Sequence, residues 1–308
     1  AMATDRIVAI VGATATGKTA LAEAVAEALD GEVVCADSRQ VFRELEIGTG
    51  KPTPEQRARR PHHLFAALAL GERASAGWYA GAAAAACAGI RARGRVPVLV
   101  GGSGLYLDAA RRGLAPTPPH DRRVRERLRA ALEREGPEAL HRRLASADPE
   151  SARRLAPRDA QRVTRALEVL ETSGRPLSAW HATGRSGAIP GSWRILELTC
   201  PPRDLGPRIE RRTRAMFDRG LLEETRALVA AGSGAALERL RAIGYDEALA
   251  VLAGRLGRAE AEARVNLRTR QLAKRQRTWF RHQVEAARLG AERAEAPALA
   301  AAALALVG

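Results

Sequence analysis

Eight residues near the N-terminus, Gly12-Ala13-Thr14-Ala15-Thr16-Gly17-Lys18-Thr19, fit the spacing G-x-x-x-x-G-K-[ST]. Those residue types in that order suit a polyphosphate. Glycines let the backbone curl until successive N–H groups point inward. A helix opening at the end of the loop adds partial positive charge beneath the anion. Lys18 can reach the terminal phosphate, and the Thr19 hydroxyl can ligate Mg²⁺. A plain strand-to-helix turn would require neither residue. The loop alone does not say which polyphosphate is held. A motor or switch NTPase would also offer an apolar strand ending in Asp to hold the metal. Here the clearest later strand, Arg95 to Val100, runs instead into Gly101-Gly102-Ser103-Gly104.

Three further groups could do chemistry. Asp37-Ser38-Arg39-Gln40 follows a short apolar run, where sites in open α/β sheets gather. Read alone, that aspartate is equally a helix cap or a loop carboxylate. Arg208-Ile-Glu-Arg-Arg212 lies in an amphipathic helix with six basic and three acidic residues over 203–219. Read alone, it presents a solvated face, above all at Arg211 and Arg214. Residues 264–281 carry seven Lys or Arg and no acid, with Trp279 and Phe280 interleaved. That mixture suits phosphate backbones and stacked bases.

These groups need a scaffold. Short β-branched runs at 6–11, Glu32–Cys35, Arg95–Val100 and Trp193–Thr199 read as buried strands, and Thr19–Leu29 as the helix after the first. Alternating strands and helices imply a parallel sheet covered on both faces. Between about 114 and 190 no strand pattern occurs, and Arg122–Glu135, Glu138–Leu144 and Ala160–Thr172 read as helices. After 204 the chain is again helical, with a long basic segment from Arg258 to Arg281 and a terminal Ala/Leu helix at 297–308. The expected fold is α/β: a P-loop NTPase-like parallel sheet with flanking helices and an all-helical insertion domain. Its core comprises 1–113 and 191–308, with the insertion at 114–190.

Composition removes other classes. The 308 residues carry 50 Lys plus Arg against 35 Asp plus Glu, and 46% are apolar, a globular balance. Cys35, Cys87 and Cys200 stand far apart, which argues against a disulfide framework or a structural zinc and for a reducing compartment. The longest uncharged run, Ala74–Ile90, is alanine-rich with glycines and makes a poor membrane span. No leader pattern precedes residue 7, and Ala1 before Met2 reads as a cloning remnant. A cytoplasmic protein is expected. Only Lys18, Lys51 and Lys274 are lysines, so 47 of the 50 cations are arginine. A GC-rich genome produces that bias without any nucleic-acid ligand. In such a chain a surviving lysine can mark a place where guanidinium does not fit.

The motifs together resemble a family. GATATGKT, Asp37–Phe42, Ile47-Gly48-Thr49-Gly50-Lys51-Pro52 and Val100–Tyr106 are similar, in order, to segments of the bacterial-type tRNA dimethylallyltransferases (tRNA isopentenyltransferases). So are Pro61-His62-His63, Arg165–Val169, Ile243-Gly244-Tyr245 and Thr269–Gln276 with Trp279, so the resemblance spans residues 7–281. Departures are Ser103 for the usual Thr, Gly50 for the usual Ala, Leu64-Phe65-Ala66 where an Asp often stands, and the segment Ala76-Gly77-Trp78-Tyr79. The eukaryotic zinc-finger extension is absent.

The resemblance implies transfer of a dimethylallyl group from its diphosphate to N6 of adenosine 37 of tRNA, 3′ of the anticodon. It implies Asp37 as general base, with Ser103 and Arg212 also catalytic. Diphosphate falls to Gly12, Ala13, Thr14, Ala15, Thr16, Gly17, Lys18 and Thr19, with Mg²⁺ on Thr19. Contacts to tRNA fall to Asp37, Ser38, Arg39, Gln40, Ser103 and Arg125, to Gln161, Arg162, Val163, Thr164 and Arg165, and to Arg241, Ala242, Ile243, Gly244, Tyr245 and Asp246. They continue through Lys274, Arg275, Gln276, Arg277, Thr278, Trp279, Phe280 and Arg281. The implied partners are dimethylallyl diphosphate and a tRNA anticodon stem-loop, with no membrane and a monomeric enzyme. The competing readings are a P-loop small-nucleotide kinase, an adenylate isopentenyltransferase and a non-catalytic RNA-binding module. The last leaves the phosphate loop and Asp37 without a role.

Overall fold

The computed structural model describes residues 5–291 and 296–307; Ala1, read above as a cloning remnant, and residue 308 lie outside them. Six strands pair into one all-parallel sheet: β1 (Arg6–Gly12), β2 (Gly31–Cys35), β3 (His62–His63), β4 (Val96–Gly101), β5 (Ser192–Thr199) and β6 (Ala287–Gly290). Their order is β3-β2-β4-β1-β5-β6. Ile7, Val8, Ala9 and Ile10 of β1 are wholly buried, as are Val33 and Val34 of β2 and Val98 and Leu99 of β4. Such unbroken apolar runs are what a parallel sheet covered on both faces demands.

The covering helices begin with α1 (Lys18–Ala28), α2 (Pro54–Arg59), α3 (Ala76–Ala92) and α4 (Gly104–Arg112). The alanine-rich run of the sequence is α3. Tyr79, Ala83, Cys87 and Ile90 form its buried stripe, and no described helix is long and apolar enough to cross a membrane.

The chain divides into two compact units, one of residues 1–111 with 189–308 and one of Arg112–Ala188. The second is helical: α5 (Arg122–Glu135), α6 (Pro137–Ala147), α7 (Pro149–Arg154), α8 (Ala160–Ser173) and α9 (Leu177–Ala182). Asp121, Asp148 and Asp159 cap α5, α7 and α8 by accepting from Val124, Ser151 and Arg162 N–H, each cap worth ~1 kcal/mol. Leu128, Leu140, Leu144, Val163 and Leu167 form its core. Its ends meet, because Leu114 and Ser186 exchange backbone hydrogen bonds of 2.9 and 3.0 Å.

The first unit resumes with α10 (Pro202–Asp218), α11 (Leu221–Ala230), α12 (Gly234–Leu240), α13 (Tyr245–Leu252), α14 (Arg258–Gln283) and α15 (Ala296–Val307). Gly12, at the close of β1, has φ +145°, and a Cβ there would lie 2.4 Å from the Leu198 carbonyl oxygen of β5. Only glycine lets the chain leave the sheet at this point.

Candidate active site

The groups singled out in the sequence collect where the strands end. β1 runs into the phosphate loop, and Lys18 opens α1. Ala15 takes φ +64° and Gly17 φ +95°, so the loop curls back on itself. The buried Thr16 hydroxyl donates to the Ala13 carbonyl at 2.9 Å, and Lys18 Nζ donates to the same oxygen at 3.2 Å. Burial lowers the Lys18 pKa to about 8, against the opposing attraction of Asp37.

Asp37 follows β2. Ala36 N–H donates to the Val100 carbonyl at 2.7 Å, and Ser103 N–H returns to the Ala36 carbonyl at 3.2 Å, lashing the two strand ends together. A Cβ on Gly101 would sit 2.0 Å from the Ala36 oxygen, so this approach requires glycine. Asp37 Oδ1 accepts from Arg39 N–H, and Ser103 Oγ accepts from Ser38 N–H, both at 2.9 Å. Ser103 thus holds the Asp37–Ser38 turn from behind.

Arg212 comes from α10. Its guanidinium donates to Thr14 Oγ1 at 2.8 Å and to the Thr49 carbonyl at 2.9 Å. Burial lowers its pKa, with Asp37 pulling the other way. Gly50 has φ +59°, and a Cβ there would meet Arg212 Nη2 at 2.4 Å, so the seated guanidinium occupies a side chain's space.

A cavity of about 500 Å³ joins these pieces. Thr14, Ala15, Gly17, Lys18 and Thr19 line it with Asp37, Gln40 and Arg212. Gly12, Ala13 and Thr16 are buried and shape the loop without facing the cavity. The lining also includes Lys51, Gln56, Arg208 and Arg211, which the sequence reading does not place there. Arg208 was legible in principle, one helical turn before Arg212 and so on the same face. Lys51 is the lysine that arginine could not replace. Its buried ammonium donates to the Phe42 carbonyl at 2.6 Å, the Arg43 carbonyl at 3.3 Å and Glu46 Oε1 at 3.1 Å, using a point charge's three donors at once.

The expected RNA contacts divide. Lys274, Arg275, Arg277 and Arg281 on α14 make no ion pair among the described residues. Arg264, Arg268 and Arg270 pair with Glu260, Asp246 and Glu247, and Glu210. Unbalanced charge therefore sits on the last three turns of α14, beside the exposed Thr278. Arg241 is exposed, Ile243 half-buried, and burial raises the Asp246 pKa.

Several side chains are unavailable to RNA because they are buried: Ala242, Tyr245 and Phe280 in the first unit and Val163 in the second, with Gly244 also inaccessible. The Tyr245 hydroxyl accepts from Gly48 N–H at 3.1 Å and donates to Glu224, steadying the turn that carries Thr49. Gln276 and Trp279 turn inward. Gln276 bonds Thr14 and Gly102, and the Trp279 indole fills the space over Gly104. In the second unit Arg125, Gln161 and Arg162 are exposed and Thr164 half-buried. Arg165 is engaged internally, with the Pro118 carbonyl at 2.8 Å and Glu168 at 3.0 Å, and so secures the segment before α5.

Known proteins share this frame. The model of the IPP transferase family matches residues 40–283, and that of the isopentenyl transferases residues 5–62. The tRNA dimethylallyltransferase of Anaeromyxobacter dehalogenans is 47% identical over 277 residues, 90% of this chain and 92% of the relative. That of Sorangium cellulosum is 44% identical over 284 residues, 92% and 90% of the two chains. The crystal structure of the tRNA isopentenylpyrophosphate transferase of Bacillus halodurans superposes with TM-score 0.70 at 32% identity, covering 98% of this chain and 97% of its own. A eukaryotic dimethylallyltransferase caught acting on tRNA superposes at 0.80 and 27% identity, covering 94% and 74%. Matched along most of its length by model, sequence and structure alike, the chain belongs to the IPP transferase family.

Proposed function

We propose that the protein is a tRNA dimethylallyltransferase. It transfers the dimethylallyl group of dimethylallyl diphosphate to N6 of adenosine 37, just 3′ of the anticodon, releasing diphosphate. One observation carries this reading: the carboxylate of Asp37 and the phosphate loop with Lys18 and Arg212 open on one cavity. Its volume lies within the range that encloses a small ligand.

The adenine amine is a weak nucleophile because its lone pair is delocalised into the ring. As N6 bonds to C1 of the dimethylallyl group, the C1–O bond breaks and diphosphate leaves with the electron pair. Asp37 takes the N6 proton. Ser103 keeps the Asp37–Ser38 turn in place through Ser38 N–H. Negative charge collects on the departing bridging oxygen, where loop N–H groups, Lys18 and Arg212 stabilise it. Of the loop amides, that of Thr14 is already engaged by Gln276, which leaves those from Ala15 onward.

A divalent cation fits the donors present. The Thr19 hydroxyl lines the cavity, and the single carboxylate there, Asp37, is needed as the base, so the site suits Mg²⁺ arriving with a diphosphate rather than a cage holding metal alone. When bound, Mg²⁺ would share the leaving group's charge. The target base lies in a loop, where unstacking costs least, and must swing out to reach the cavity. The free cations of α14 then serve the RNA backbone. Asp37, Lys18 and Arg212 come from one chain, so a monomer suffices, acting in the cytoplasm.

Incubation with dimethylallyl diphosphate, Mg²⁺ and an anticodon stem-loop should add one C5H8 unit to that adenosine, read by mass spectrometry. An unmodified stem-loop alongside prenylated free AMP would overturn the reading in favour of an adenylate transferase.

A further inference from the structure

We propose that Gln276 is a positioning residue for the diphosphate loop, an inference that rests on the function proposed above. Gln276 stands between Arg275 and Arg277 on the basic helix α14, yet its side chain is half-buried and faces the sheet. Pairing of β1 with β4 runs as far as Val11 opposite Gly101. Beyond that point the two chains diverge, one into the phosphate loop and the other into the turn that carries Ser103. The Gln276 carboxamide fills the gap. Its Oε1 accepts from Thr14 N–H at 2.9 Å, and its Nε2 donates to the Gly102 carbonyl at 3.0 Å. One side-chain amide thus stands in for the peptide that would have continued the ladder. The two partners fix its orientation, since an N–H can only donate and a carbonyl only accept.

The turn is shaped to receive it. A Cβ on Gly102 would lie 2.3 Å from Gln276 Nε2, and one on Gly104 would lie 2.3 Å from the Trp279 ring. Residues 276 and 279 are one helical step apart on the same face. Thr14 is consequently gripped twice: Arg212 holds its hydroxyl and Gln276 its N–H. Arg212 also lines the cavity, whereas Gln276 does not, so Gln276 acts through Thr14. With the bridge in place the loop meets its ligand already curled, and ordering it costs less at the moment of binding.

The test uses Gln276→Met, which keeps the shape and removes both bonds, and Gln276→Glu, which keeps an acceptor for Thr14 but cannot donate to Gly102. For Gln276→Met the KM for dimethylallyl diphosphate should rise about tenfold, the loss expected for two hydrogen bonds. The stem-loop dissociation constant should stay within about twofold of wild type. Gln276→Glu should raise KM further, because it brings a negative charge to the edge of an anion site. Calorimetric titration with inorganic diphosphate and Mg²⁺, without RNA, should show the same weakening. Unchanged donor KM with weakened stem-loop binding would make Gln276 an RNA contact. Lowered melting temperature with unchanged KM would make it a packing residue. Either result overturns the proposal. If wild-type enzyme prenylates no stem-loop, the function falls instead, and the diphosphate titration still tests Gln276.

Discussion

The two ends of the strands treat charge in opposite ways. Where the strands begin, buried Glu32 accepts from Arg93 at 2.6 and 3.0 Å and from Arg95 at 3.3 Å, and lies 2.6 Å from His63 Nε2. Hydrogen bonds from Arg93, above all, hold its pKa near 2. Where the strands end, Asp37 accepts a backbone N–H and makes no ion pair among the described residues. Lys18 rests on a carbonyl, and Arg212 on a hydroxyl and a carbonyl. Both ends are charged, but only one is closed. Opposite charges that have found each other contribute stability. Charges parked on neutral partners remain available to a ligand, and that difference separates scaffold from site.

Three measurements test this contrast. Asp37→Asn should lower kcat by about 10²- to 10⁴-fold with stem-loop affinity nearly intact; equal loss of both would make the open end a docking surface. Glu32→Gln should leave the kcat of folded enzyme unchanged and cost about 2 kcal/mol at pH 7 in denaturant unfolding. Because the fold holds this carboxyl below its ordinary 4.5, its stabilisation is complete above that value and fades as pH falls toward 2. The gap between wild type and variant should close over the same window. A gap that persisted at acid pH would trace the loss to packing. The smallest effect concerns Lys18. With a pKa of about 8 it is mostly neutral at pH 9, and a bound anion raises that value. Binding of Mg²⁺-saturated diphosphate, itself fully ionised at pH 9, should therefore draw a fraction of a proton from solution, read from binding heats in buffers of different ionisation enthalpy. No uptake would mean that Lys18 is already charged in the empty site.

Much of this was legible in the amino-acid order. The apolar runs of β1, β2, β4 and β5 lie within a residue of where the strands form, because strands buried on both faces leave an unbroken signature. Gly12–Thr19 and Asp37 were legible because their spacing is itself the chemistry. β3 was not, since two residues, His62 and His63, carry no period, and β6 (Ala-Arg-Leu-Gly) is as featureless. The inward turn of Gln276 was hidden inside a basic run, between Arg275 and Arg277, where the charges draw attention to solvent. Arg165 reads as a surface cation, but an acid three residues on and the Pro118 carbonyl pull it inward. Such roles depend on partners far along the chain, which local pattern cannot reveal.

The paired backbone bonds between Leu114 and Ser186 carry a consequence for ancestry. A polymer excursion that departs and returns through one doorway taxes the rest of the molecule no more than a tight bend would. Genetic exchange could therefore lengthen, trim or swap that excursion while the catalytic framework kept its own connectivity.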